Sequence, residues 1–271
     1  LAYGPDGLVE IDPVSQKTAH YPVPLDMRPS GSLYRICEDH ENRLWVSCNT
    51  GLFIFDQQTK KFFKPDWLPE FVQQLHPFYL FCDSKGNMWM SFVIPNSIGF
   101  YEAATKKFYY YENYIVDGKP VFDVNHRLSK MMEDPAGDIW MISHDGGGIL
   151  RYNNRLHQWE KYPSGVTSPL LVHKELNGIY SAGPDAIWLT NKAGLGLARY
   201  KYSTGEIELI TRKDGLLSDN ISGLTRGKDN NLFLVSATGI NLFNPQTRKI
   251  RSLRLTDEDI NLSFGYHQFY D

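Results

Sequence analysis

The chain has 271 residues, 42% of them hydrophobic and 14% aromatic, and a formal net charge of −3. Such a length and composition suit one large core or two small ones. No Lys/Arg block is present to track phosphates, which argues against a nucleic-acid partner, and no apolar run reaches bilayer length.

Cys37, Cys48 and Cys82 make no CxxC pair, so no disulfide framework is expected and all three read as small buried hydrophobes. Leu1 does not open a secretion leader, as expected of a mature domain or a piece of a longer chain.

In chain order, Leu1 to Leu8 lines up with Trp45 to Leu52, so the chain enters inside the second strand of a repeated unit. Full units follow near residues 33–65, 80–112, 130–162, 179–210 and 221–253. Their marker positions are Trp45, Trp89, Trp140, Trp188 and Phe233, roughly 45–50 residues apart. Each unit opens with an apolar stretch, which ends in an acidic residue in the first three (Asp39, Asp83, Asp134). A turn of Gly, Asn or Asp comes next, then the Trp, then in most units a Gly-aliphatic pair such as Gly51-Leu52 or Gly239-Ile240. A polar turn such as Thr59-Lys60, Thr105-Lys106 or Thr204-Gly205 leads into the last strand, which is aromatic in the early units.

Such turn residues supply the positive φ or side-chain bonding that hairpins need, and alternation with period two marks strands. Four short antiparallel strands repeated at this spacing predict an all-β propeller of four-stranded blades. About six units are expected. The sixth is split between residues 1–24 and 254–271, giving a six-bladed ring or part of a seven-bladed one within a single domain, 1–271. The acidic residue repeated in three units is expected to cap a hairpin, and the repeated Trp to fill the layer between blades.

The runs Glu38-Asp39…Leu44-Trp45-Val46-Ser47…Gly51-Leu52-Phe53-Ile54-Phe55-Asp56 and Glu133-Asp134…Gly137-Asp138-Ile139-Trp140 resemble the two-component regulator propeller repeat. The link Asp214-Gly215-Leu216-Leu217-Ser218-Asp219-Asn220-Ile221 is similar to the connector between blades of that family. Phe233 in place of Trp, and Val93-Ile94-Pro95-Asn96 inserted in the second unit, depart from the pattern. The resemblance implies a periplasmic sensor region of a hybrid two-component histidine kinase in the inner membrane. It also implies neighbouring propeller and immunoglobulin-like domains and the sensing of glycan breakdown products.

No nucleophile elbow, zinc-protease motif, phosphate loop or cysteine ligand cluster occurs, so no catalytic residue, metal or cofactor is expected. Ligand recognition should lie where the repeats differ, at the end that collects the links between blades and the turns between second and third strands. Arg28, His76, Tyr79, Asn96, His126, Arg127, His144, Asp145, Lys174, Asn191 and Lys192 fall there. Aromatic faces and amide or cationic donors suit an oligosaccharide. The leading expectation is therefore a non-enzymatic, oligosaccharide-binding sensor, with a homodimer left open. The alternatives are a glycan hydrolase or lyase, for which Asp145 with His144 or His126 would be the acid–base pair, and a protein-interaction scaffold.

Overall fold

The computed structural model describes residues 2–4, 7–24, 33–48, 51–75, 77–143, 148–162, 176–191, 193–227 and 229–254. The chain divides into two compact units, residues 1–127 and 128–271.

The first unit opens with a three-stranded sheet of β1 (Ala2–Gly4), β2 (Gly7–Ile11) and β3 (Thr18–Pro22). The first blade follows: β4 (Leu33–Glu38), β5 (Arg43–Cys48), β6 (Gly51–Asp56) and β7 (Lys61–Phe63). The second blade is β8 (Pro77–Cys82), β9 (Met88–Val93), β10 (Asn96–Glu102) and β11 (Lys107–Glu112), and a small hairpin of β12 (Ile115–Val116) and β13 (Lys119–Pro120) leaves it.

The second unit holds three blades. They are β14 (Leu128–Glu133), β15 (Ile139–Ser143), β16 (Ile149–Asn153) and β17 (Gln158–Tyr162); then β18 (Leu176–Ser181), β19 (Ala186–Asn191), β20 (Leu197–Lys201) and β21 (Glu206–Ile210); then β22 (Gly223–Arg226), β23 (Leu232–Ser236), β24 (Gly239–Phe243) and β25 (Ile250–Arg254). Every ladder is antiparallel and joins strands adjacent in sequence.

The structure corrects the expected count. Among the described residues there are five four-stranded blades, not six, because the opening sheet has only three strands. The segment expected to complete it, 254–271, lies outside the described residues apart from Arg254, which ends β25.

The core is a series of layers between stacked sheets. Side chains alternate along a strand, so each inner strand feeds two layers. In β5, Leu44 and Val46 pack with Leu8 and Val23 of the opening sheet's region, while Trp45 packs with Leu80, Met88, Met90 and Phe92 of the second blade. Trp140, Ile142, Ile187 and Leu189 build the layer between the third and fourth blades, and Trp188, Leu197, Leu232 and Phe243 the next. Strands covered on both faces are buried almost continuously, as β5, β9, β15 and β19 are, whereas the outer strands β3 and β25 are largely exposed.

A clasp recurs in the first three blades. Asp39 Oδ1 accepts the backbone N–H of Glu41 (2.9 Å) and Arg43 (3.0 Å), and its Oδ2 accepts Trp45 Nε1–H (2.7 Å). Asp83 takes Lys85 N–H, Asn87 N–H and Trp89 Nε1–H at 3.0, 2.9 and 2.9 Å. Asp134 takes Ala136 N–H, Asp138 N–H and Trp140 Nε1–H at 2.9, 3.0 and 2.8 Å. The carboxylate thus caps the hairpin and gives the buried indole its acceptor.

Where the third strand begins, Gly196 has φ +77° and Gly239 φ +141°; a Cβ on them would lie 2.3 Å from Ile210 O and 2.2 Å from Leu253 O. The Gly of the Gly-aliphatic signature lets the outer strand approach that closely.

Candidate functional site

In an antiparallel sheet the start of the first strand, the turn between the second and third, and the link leaving the fourth share one end. In the second blade this end is formed by Pro77–Tyr79, the turn before Asn96, and the link from Asn113 to Arg127.

A register shift recurs at this end. Pairing of the first strand with the second skips a residue between Leu33 and Arg35, Pro77 and Tyr79, Leu128 and Lys130, and Leu176 and Gly178. The extra residue is Tyr34, Phe78, Ser129 or Asn177. Such a bulge interrupts the ladder and re-aims a side chain. In the second blade it sets two aromatic residues side by side. Arg35 of the first blade lies over the Tyr79 ring at 5.5 Å, and Arg127 lies over the Phe78 ring at 6.0 Å. Guanidinium on a ring face is electrostatically favourable.

The link that carries His126 and Arg127 is anchored by aromatic packing. Tyr114 is fully buried, its ring lies edge-on to Phe122 at 5.5 Å, and its hydroxyl donates to His126 O at 2.9 Å. Asp123 Oδ1 accepts Asn125 N–H at 2.9 Å, closing a local turn, and His126 Nε2 stands 3.8 Å from Asp123 Oδ2. Asn96 Nδ2 donates to Val124 O at 2.6 Å, tying the turn ahead of the third strand to the same link.

Four expected site residues therefore share one end of one blade: Tyr79 is buried, and Asn96, His126 and Arg127 are half-buried. Together with Phe78 and Arg35 they offer aromatic faces, planar cations and an amide.

The fifth described residue, Asn191, lies elsewhere. It is buried in the fourth blade, where its Oδ1 accepts the N–H of Ala193 (3.2 Å) and Leu195 (3.0 Å) and holds the turn into β20. Beside it Thr190 Oγ1 donates to Asn177 Oδ1 at 2.8 Å, and Asn177 Nδ2 donates to Ile221 O at 2.6 Å. The amides of this blade thus hold its own turn and tie it to the segment that leads into the fifth blade. Arg28, His76, His144, Asp145, Lys174 and Lys192 lie outside the described residues.

Sequence reading missed Arg35, although it stands the same number of residues before its marker Trp as Tyr79 does. Arg35, Tyr79, Lys130 and Gly178 each follow the bulge of their blade, so one position carries a guanidinium, a phenol, an amine and no side chain.

No family model and no curated protein sequence matches the chain. Solved structures do resemble it. The extracellular domain assigned to a hybrid two-component system of B. thetaiotaomicron aligns with a TM-score of 0.66 at 15% identity, covering 94% of this chain and 32% of that one. PorZ, a surface component of the type-IX secretion system of Porphyromonas gingivalis, aligns at 0.65 and 18%, covering 88% and 36%. Virginiamycin B lyase from Staphylococcus aureus aligns at 0.61 and 18%, covering 84% and 71%. At these identities the likeness carries the fold, a β-propeller of four-stranded antiparallel blades, and not a shared activity.

Proposed function

We propose that the chain is the ligand-sensing region of a hybrid two-component histidine kinase, held outside the cytoplasm, and that it recognises an oligosaccharide or glycan breakdown product. Likeness to the extracellular domain from B. thetaiotaomicron over 94% of the chain supports the class of protein. The observation that carries the ligand class is the Phe78–Tyr79 bulge with Arg35 and Arg127 against its two rings. Sugars combine flat C–H faces with rows of hydroxyls, and sometimes a carboxylate, so their sites pair rings with planar or amide donors. Asn96 and His126 complete the described part of this set. Arg28 and His76 are its proposed outer members, whereas His144, Asp145, Lys174 and Lys192 are proposed contacts of the later blades and Asn191 holds the turn of its own blade. Binding would signal by favouring one pose of the neighbouring propeller and immunoglobulin-like domains over another, and so shifting a kinase equilibrium.

Isothermal titration of the chain against neutral and uronic-acid oligosaccharides tests this reading. One glycan class should bind, and Arg127→Ala should weaken it by about tenfold or more, the worth of a hydrogen bond to a charged group. Silence against the whole panel would end the proposal. A second reading is glycan cleavage, since one propeller of similar fold is a lyase, though of virginiamycin B; release of product from any oligosaccharide by the isolated chain would replace sensing with catalysis.

A further inference from the structure

The first two blades bring two thiols into one layer. In β4, Ile36 packs toward the opening sheet with Val46 and Phe55, so its neighbour Cys37 faces the opposite way, into the layer of Trp45, Leu52 and Ile54. In β8, Leu80 and Cys82 stand two residues apart and meet that same layer from the second blade. The strands β4 and β8 are themselves neighbours. The Cys82 backbone N–H reaches the Cys37 sulfur, and the two thiols lie close enough to influence each other's ionisation. Both are thiols outside any disulfide, and both are half-buried. Cys48 is buried in the other layer of the first blade, with its Sγ donating to Gly51 O at 3.5 Å.

We propose that Cys37 and Cys82 are a redox-modifiable pair, which closes to a disulfide and staples the inner strands of the first two blades when a disulfide oxidant is present. The inference stands independently of the ligand reading, although the stapled strands are the ones that carry Arg35 and Tyr79. One cysteine thiolate attacks the oxidant RS–SR, forming a mixed disulfide and releasing RS⁻. The second thiolate then attacks the protein-bound sulfur, forming the Cys37–Cys82 bond and releasing a second RS⁻. The two cysteine protons end on the two RSH products, so two thiols are oxidised and one disulfide is reduced. Burial, and after it the neighbouring Cys82 thiol, push the Cys37 thiol up to about 12. Closure should therefore be slow at neutral pH and quicken as pH rises, because only the thiolate attacks.

The test treats the native chain with oxidised glutathione, removes the oxidant, unfolds the chain with excess alkylating agent and maps its peptides. The expected result is a Cys37–Cys82 linked peptide, with alkylation confined to Cys48. The melting temperature should rise by about 5–10 °C, reversibly with reductant, as a long closed loop allows. Cys48→Ser should retain the linked peptide, and Cys37→Ser should leave a stable glutathione adduct on Cys82. Three alkylated cysteines, adducts on Cys37 or Cys82 without the link in the unaltered chain, or a link involving Cys48 would each overturn the proposal.

Discussion

The third and fifth blades turn their first hairpins in the same way with different chemistry. In the third, Gly137 N–H donates to Asp134 O, Asp134 N–H to Asp138 O, and Gly137 takes φ +84°. In the fifth, Asn230 N–H donates to Gly227 O, Gly227 N–H to Asn231 O, and Asn230 takes φ +63°. The backbone path is shared, yet the fifth blade has Gly227 where the third has its capping Asp134. Phe233, in the Trp140 position, is 36% exposed, whereas Trp140 is fully buried. The carboxylate is therefore not what makes the hairpin turn. In the first three blades it supplies the acceptor that a buried indole N–H needs once it is taken out of water. The fourth blade lies between them: Trp188 is buried without an aspartate, Ala182 standing at the clasp position, and its ring meets Phe243 edge-on at 5.4 Å with Arg248 at 6.0 Å. Asp39, Asp83 and Asp134 thus serve the fold.

That contrast can be broken most sharply by truncating the clasp. Asp134→Ala strands the Trp140 indole and two turn N–H groups, and should cost about 2–4 kcal/mol in urea unfolding. Asp229→Ala, at an exposed turn position of the fifth blade, should change stability by less than about 0.5 kcal/mol. Equal losses would refute the division of roles.

A smaller effect should appear at alkaline pH. Burial raises the phenols of Tyr101, Tyr110, Tyr111, Tyr200 and Tyr202, and carries Tyr162 to about 12. Above pH 10 the unfolded chain loses these protons first, so the native state holds more of them and stability falls as pH rises. The urea midpoint should drop between pH 10 and 12. Because the fifth blade contains no tyrosine, its amide protons should weaken in hydrogen exchange no sooner than those of the third blade. Smallest of all, Phe233→Trp should shift stability by less than about 0.5 kcal/mol, since the half-exposed position can leave an indole N–H in water. A loss comparable to that of Asp134→Ala would show that the fifth blade needs a clasp as well.

Strands, hairpins and the Trp marker were legible because their causes are local. Gly86, Gly137 and Asn42 turn the chain with positive φ, and the acceptors Asp56 and Asn244 each collect two N–H groups in the later hairpins. The capping aspartates were also legible, from their recurrence at one offset before Trp. The candidate site was legible only in part. Tyr79, Asn96, His126 and Arg127 were named from their place near the blade links, but the bulge that pairs Phe78 with Tyr79 leaves no mark in composition. Asn191 has the right residue type and the right neighbourhood, yet its oxygen is committed to the turn of its own blade.

The order of residues by itself determined the repeat, the antiparallel hairpins and the alternation that sends Trp45 and Val46 to opposite layers, since each depends on residues a few positions apart. Only the stacking of one sheet on the next decided that Arg35 meets Tyr79 and that Cys37 meets Cys82. Those contacts join residues 44 and 45 positions apart, a distance over which turn chemistry and two-residue periodicity have no say, and which is set by how the layers fill their shared volume.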